Sequence, residues 1–130
     1  MTMTLTITSL YAAILALLLI ALSAAVIMRR GRTGISLNHG DDLPLAAAIR
    51  RHGNFTEYVP LALLLLAMME LRGASPLWLH GVGGALTLGR FIHVLGINPL
   101  KANEPARVFG ASLTLLSLGV AALYLLASHF

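Results

Sequence analysis

The residues of this chain that could do chemistry are polar side chains set beside or inside strongly apolar segments. They are, in chain order, Arg50, Asn54, Glu57, Arg90, His93 and Arg107. Arginine suits the recognition of anions because its planar guanidinium binds a carboxylate through two hydrogen bonds and stays charged. In an apolar medium an arginine without compensation costs about 2.5 to 3.5 kcal/mol on insertion scales, so each of these charges needs a partner. The set therefore predicts either buried ion pairs or a site for an anionic ligand.

The charges do not balance within the set. At 100° per residue, Arg50, Asn54 and Glu57 fall on one stripe of a helix. We predict that Glu57 neutralises Arg90, directly or across a subunit boundary, with Asn54 bridging by hydrogen bonds. Arg50 and Arg107 then lack an acid, and this surplus predicts an anionic ligand. The alternative is that the polar residues only hold helices together.

Composition identifies the medium around these residues. The chain has 130 residues, of which 58% are hydrophobic and 11% are charged, whereas a soluble domain has about a quarter charged. This indicates an integral membrane protein. The first 28 residues carry no charge, and the run from Ile7 to Met28 is expected to be a membrane helix. A cleaved signal peptide is disfavoured because it would begin with positive charge. Cysteine is absent, no histidine pair has metal-ligand spacing, and the basic residues lie in loops, so neither a metal site nor nucleic-acid binding is predicted.

The apolar segments predict an all-α fold, a bundle of four transmembrane helices in a single domain over residues 1–130. The expected helices cover about 7–28, 43–71, 77–97 and 104–127, each long enough for a hydrocarbon core that needs about 20 residues. Asp41 and Asp42 are suited to cap the second helix. In the third helix, Gly81, Ala85 and Gly89 recur every four residues, a spacing that lets helix backbones approach closely in lipid.

The loop charges predict an orientation. One end of the bundle collects nearly all basic residues, namely Arg29, Arg30, Arg32, Arg50, Arg51, Arg90, Lys101 and Arg107. Arg72 alone lies toward the other end. By the positive-inside rule the crowded end is cytoplasmic, and both termini then face away from the cytosol.

Two stretches carry a family resemblance. "RRHGNFTEYVP" and, with its arginine 36 residues after Asn54, "GRFIHVLG" resemble the membrane-associated proteins in eicosanoid and glutathione metabolism, the MAPEG family, and the chain is similar to a bacterial member. The resemblance implies a homotrimer in the inner membrane, with glutathione as co-substrate at subunit interfaces near the cytoplasmic side and lipophilic substrates entering from the lipid. It implies these glutathione-binding residues: Arg29 or Arg30, Arg50, Asn54, Glu57, Arg90 and His93. It also implies that Arg107 is the catalytic residue, which activates the thiol.

The chain departs from the prostaglandin-synthase-like members at three positions where they carry a hydroxyl. Val108 stands in place of their serine, while Ala111 and Ile97 stand in place of tyrosines. Their second-helix motif also has another arginine where Gly53 stands here. Thiol activation would therefore rest on Arg107 alone, since a guanidinium near sulfur stabilises the thiolate.

Three functions follow for comparison. The first is a glutathione-dependent transferase or peroxidase acting on lipophilic electrophiles. The second is a non-catalytic protein that binds lipid or glutathione, suggested by the missing hydroxyls. The third, a small four-helix drug/proton exporter, is disfavoured because such exporters have a membrane-embedded glutamate in the first helix, where this chain has no ionisable residue before Arg29.

Overall fold

The structure, a computed structural model, describes residues 4–100 and 105–130. It contains four helices, α1 (Thr6–Thr33), α2 (Leu43–Leu71), α3 (Pro76–Leu95) and α4 (Pro105–Ala127), and the described residues contain no strand. The predicted all-α, four-helix fold is confirmed. The expected first residue of the last helix, Glu104, lies outside the described residues, as does Lys101.

The first helix is longer than its apolar run. It was expected to end near Met28 but continues to Thr33 and stops at Gly34, whose φ of 71° is a left-handed conformation that glycine adopts without strain. Arg29 and Arg30 therefore lie in the last turns of α1 rather than in a loop. Basic side chains at this end of a helix also interact favourably with the helix dipole.

An acidic side chain at each end of α2 caps the start of a helix. At the start, Asp42 caps α2 by accepting a hydrogen bond from the Leu45 amide at 2.7 Å, as the sequence predicted. Near the end, the Glu70 carboxylate accepts hydrogen bonds from the amides of Ile7 and Thr8 at 2.8 and 2.7 Å. These amides belong to the first turn of α1, where backbone donors have no partner within the helix, so α2 supplies the N-terminal cap of α1.

Three of the four helices, α1, α2 and α4, are long and apolar enough to cross a membrane. The fourth, α3, ends at Leu95, two residues earlier than expected, and carries Arg90 and His93. Both side chains are buried within the bundle, with 2% and 4% of their surface exposed. Their polar character lowers the mean hydropathy of α3 although neither faces the surroundings of the bundle.

The helices α3 and α4 make the closest approach in the bundle. A Cβ atom added to Gly89 would lie 2.9 Å from the carbonyl oxygen of Gly110, and one added to Gly110 would lie 2.5 Å from the amide nitrogen of His93. Of the predicted small-residue series, Gly89 thus has the expected role. Gly81 does not, since a Cβ there would meet nothing within 4 Å. The α3–α4 contact fixes where α3 ends and α4 begins, which is where the candidate site lies.

Candidate functional site

A cavity of about 450 Å³ lies where α2 begins, α3 ends and α4 begins. Its walls come from these three helices and from the segment that follows α3. The lining residues are Leu43, Ala46, Ala47, Arg50, Asn54, His93, Ile97, Asn98, Pro99 and Arg107. The cavity is large enough for a small-molecule ligand, for which volumes of about 300 to 1,000 Å³ are usual.

Four of the eight residues singled out from the sequence meet in this cavity. Arg50 and Asn54 are one helical turn apart on α2 and so present their side chains on one face. His93 reaches the cavity from the last turn of α3, and Arg107 from the first turn of α4. Residues separated by up to 57 positions in the chain are thereby brought to one site.

The cavity has a positive character. Arg50 and Arg107 are both exposed at its surface, and among the residues that the structure describes no acidic side chain lines it. The remaining polar groups, the side chains of Asn54, His93 and Asn98, can form hydrogen bonds. Such a set of donors fits a ligand that carries carboxylates.

The segment after α3 forms one wall of the cavity and is held by Arg51. The Arg51 guanidinium, on α2, donates a hydrogen bond to the Ile97 carbonyl oxygen. The Asn98 side chain accepts a hydrogen bond from the Leu100 amide at 2.9 Å, which shapes the turn. Arg51 therefore fastens this wall to α2, and it does so from the position next to Arg50.

Close packing at Gly96 positions Arg107 at the cavity. A Cβ added to Gly96, the residue that caps α3, would lie 2.2 Å from the Arg107 amide nitrogen. The backbones at the end of α3 and the start of α4 are thus in direct contact. Because Gly96 has no side chain, the first turn of α4 can pack against the end of α3, which brings Arg107 to the cavity that His93 and Arg50 also line.

Arg90 is buried next to this cavity rather than in it. Its guanidinium donates long hydrogen bonds to the carbonyl oxygens of Asn54 (3.4 Å) and Gly110 (3.5 Å), and lies 5.7 Å from the centre of the Tyr58 ring. Its Nε has no hydrogen-bond partner among residues 4–100 and 105–130. Arg90, Asn54 and Tyr58 line a second cavity of about 40 Å³. Asn54 borders both cavities and joins them into one polar region.

The predicted direct pairing of Glu57 with Arg90 within one chain is wrong. Glu57 is exposed on the outer surface of α2, and the single ion pair among the described residues is that of Arg29 with Asp42. The contact of Asn54 with Arg90 also differs from the prediction, because it uses the backbone carbonyl rather than the side chain. Pairing across a subunit boundary stays a prediction.

The two arginines at the end of α1 have structural contacts. Arg29 donates to both carboxylate oxygens of Asp42, at 3.0 and 2.7 Å, and this hydrogen bonding holds the pKa of Asp42 below its usual range. Arg30 donates to the carbonyl oxygens of Ile35 and Asn38 at 3.0 Å and so shapes the loop after α1. Neither arginine lines the cavity of its own chain.

Comparison with known proteins supplies the family. The model of the MAPEG family matches residues 8–127, nearly the whole chain. The chain belongs to the MAPEG family. This MAPEG protein is also 37% identical over 92 residues to the inner membrane protein YecN of Escherichia coli strain K12 and to the protein of that name from E. coli strain CFT073, an alignment that covers 71% of this chain and 70% of each relative. No solved structure matches it.

Family membership establishes an integral membrane protein in a family that includes glutathione transferases and peroxidases.

Three residues of the site were not singled out from the sequence. Arg51 was counted only as a topology signal, although it fastens a wall of the cavity. Tyr58 gave no signal, and its place beside Arg90 depends on the rotation of α2. Asn98 lies in a turn whose course the sequence does not specify.

Proposed function

We propose that this MAPEG protein is a glutathione-dependent membrane transferase or peroxidase that acts on lipophilic electrophiles. The observation that carries the proposal is the cavity that Arg50 and Arg107 both line, with no acidic side chain from the described residues. Glutathione has two carboxylates and a thiol, so it matches a site that offers two guanidinium groups and several neutral hydrogen-bond donors.

The proposed roles follow from position. Arg50 and Asn54, one turn apart on α2, bind a carboxylate of the tripeptide, with His93 on the opposite wall. Arg107 stabilises the thiolate, since a cation close to sulfur lowers the pKa of the thiol. In conjugation, the thiolate sulfur forms a bond to an electrophilic carbon, and the leaving group departs with the electron pair of the bond that breaks. The apolar outer faces of the helices allow the electrophile to arrive from the lipid.

We also propose that the functional unit is a homotrimer in the bacterial inner membrane, with both termini outside the cytosol. Glu57 and Arg90 support this assembly. Glu57 places a carboxylate on the outside of α2, while Arg90 is a buried cation with no carboxylate partner among the described residues. A neighbouring subunit would bring Glu57 to a site it does not reach within its own chain.

The second candidate is a non-catalytic protein that binds glutathione or lipid. The observation in its favour is the absence of hydroxyl groups at three positions around the cavities. Ile97 lines the main cavity, Ala111 lines the second, and Val108 follows Arg107. In this case glutathione would bind, but its thiol would stay protonated.

One experiment separates these functions. Detergent-purified protein is unfolded by heat with and without millimolar glutathione, and the ultraviolet absorbance of bound thiolate is recorded. Glutathione at 100 times its Kd should stabilise the fold by about 2.7 kcal/mol. We expect this stabilisation in the parent and its loss in Arg107→Ala and Asn54→Ala, while Arg32→Ala, an exposed arginine of α1 away from the cavity, retains it. Stabilisation without thiolate absorbance would favour the non-catalytic candidate, and no stabilisation of the folded parent would contradict both glutathione proposals.

A further inference from the structure

The end of the bundle opposite to the cavity carries a groove between α3 and α4. It has a volume of about 120 Å³ and an almost wholly apolar surface. Its lining residues are Trp78, Gly81, Val82, Ala85, Leu116, Ser117 and Val120. At its outer end the ring of Trp78 packs against that of Tyr124, with ring centres 6.0 Å apart. Tryptophan and tyrosine are enriched where the hydrocarbon core meets the headgroups, so this pair places the outer end of the groove at that level.

Beyond the groove, α4 runs on toward a cationic group at its end. On α4, Leu116, Val120 and Tyr124 follow one another at intervals of four residues and form one stripe, and Ser128 continues this interval just beyond the last residue of the helix, Ala127. From Leu116 to Ser128 this stripe is about 18 Å long at 1.5 Å per residue. That length is comparable with half of a hydrocarbon core of about 30 Å. An acyl chain from one leaflet therefore fits along the stripe.

The cationic group is Arg72, at the end of α2. Its guanidinium donates to the carbonyl and the hydroxyl oxygens of Ser128, both at 3.0 Å, and lies 3.2 Å from the Nε2 atom of His129. The two Ser128 oxygens are uncharged acceptors. The nearby carboxylate, Glu70, is already bonded to two amides of α1, and the described residues give Arg72 no ion pair. Its positive charge is available to an anion at the headgroup level.

We propose that Arg72 and the α3–α4 groove bind an anionic glycerophospholipid, with the phosphodiester at Arg72 and His129 and one acyl chain in the groove. A zwitterionic lipid fits less well because its ammonium group would lie near the positive charge of Arg72. The site lies at the opposite end of the bundle from the proposed glutathione site and is independent of that proposal. It would anchor the end of α2, the start of α3 and the end of α4 to one leaflet.

The fluorescence of Trp78 tests the proposal directly, because it is the only tryptophan of the chain. The protein is placed in detergent micelles with increasing amounts of phosphatidylglycerol brominated near the headgroup end of its acyl chains, or of phosphatidylcholine brominated at the same carbons. Bromine quenches tryptophan on contact. We expect phosphatidylglycerol to half-quench Trp78 at a concentration about fivefold lower than phosphatidylcholine, since one arginine near an anionic lipid contributes about 1 kcal/mol.

Two variants and two matched controls complete the test. Arg72→Gln removes the cation and should abolish the preference for phosphatidylglycerol, whereas Arg32→Gln, at the other end of the bundle, should retain it. Gly81→Leu places a side chain in the groove, where a Cβ meets no atom within 4 Å, so it should block the lipid while leaving the fold intact. Gly119→Leu introduces the same side chain on α4, also without a contact, and should still be quenched.

Three results would overturn the proposal. Equal quenching of the parent by both lipids would show that no headgroup is selected. No quenching by either lipid would show that protein, such as a second copy of the chain, covers the groove. Displacement of the brominated lipid by millimolar inorganic phosphate alone would show an ion site at Arg72 without a lipid site.

Discussion

Gly96 packs against the start of α4, so the substitution Gly96→Ala, which adds one methyl group, tests whether this contact positions Arg107. Gly96 has a right-handed helical backbone, with φ of −79° and ψ of −7°, so alanine can adopt it without strain. The added Cβ would nevertheless lie 2.2 Å from the Arg107 nitrogen and 2.8 Å from the Ala106 carbonyl carbon. These neighbours are backbone atoms, which cannot rotate away. The two backbones would have to separate by roughly 1 Å to reach ordinary contact distances.

We expect Gly96→Ala to have two measurable effects. Overpacking of this size costs about 1 to 3 kcal/mol of stability. The displacement of Arg107 should also weaken glutathione binding about tenfold or more, because a hydrogen bond from a charged group contributes about 1.5 to 3 kcal/mol. Thermal unfolding of the detergent-purified protein without ligand measures the first effect. A glutathione titration followed by the same unfolding measures the second.

Gly53→Ala is the matched control. Gly53 lies in α2 directly before Asn54, and a Cβ there meets no atom within 4 Å. Alanine should raise stability by about 0.5 to 1 kcal/mol, the usual difference from glycine within a helix, and should leave glutathione binding unchanged. If Gly96→Ala unfolds at the same temperature as the parent and binds glutathione equally well, the contact of α3 with α4 does not position Arg107. Because the measurement without ligand stands alone, it tests the packing even if glutathione is not the ligand.

Three further perturbations test contacts around the ends of the bundle. Arg51→Met should weaken glutathione binding severalfold, because it releases the Ile97 carbonyl from α2 and loosens a wall of the cavity. Arg51→Lys can still donate a hydrogen bond and should restore part of the affinity. Asp42→Asn should lower the free energy of unfolding near neutral pH but not in acid, because the hydrogen bonds from Arg29 depress the pKa of Asp42. The contribution of the Asp42 carboxylate to stability is present above its unfolded pKa of about 3.9 and is lost as the pH falls through the lower folded value. Unfolding midpoints of parent and variant should converge at low pH, and a constant gap would contradict the assignment. Glu70→Ala should cost about 1 kcal/mol, as loss of a helix cap does, and should speed amide hydrogen exchange in the first turn of α1; unchanged exchange would mean that Glu70 is not the cap.

The sequence predicted those features of the site that depend on spacing along one helix. The interval from Arg50 to Asn54 is one helical turn, so both side chains had to reach the same face of α2. The capping of α2 by Asp42 was equally local. The end of α1 was predicted less well, because its three arginines after an apolar run were interpreted as a loop although arginine is compatible with a helix. The helix in fact continues until Gly34.

Features that depend on how helices rotate against one another were not predictable in the same way. A helical stripe shows which residues share a face but not what that face meets. Glu57 was therefore assigned to Arg90, whereas the structure leaves Glu57 exposed and turns Arg90 toward the carbonyl oxygens of Asn54 and Gly110. Gly96 was also missed, since it lies outside the four-residue series of α3 and its importance appears only when α4 packs against it.

Arg90 is a buried cation whose counter-charge would have to come from a ligand or from the proposed assembly. It is 2% exposed, and within the described part of the chain its two hydrogen bonds are long and its Nε has no partner. A buried charge normally requires an opposite charge and well-formed hydrogen bonds. The adjoining cavity of about 40 Å³ admits one water molecule, whose share of liquid volume is about 30 Å³, but water does not neutralise a cation. A carboxylate of a bound anion, or Glu57 of a neighbouring subunit reaching into this cavity, would do so. The charge balance of Arg90 would then depend either on the ligand proposed for the cavity of Arg50 and Arg107 or on the proposed assembly.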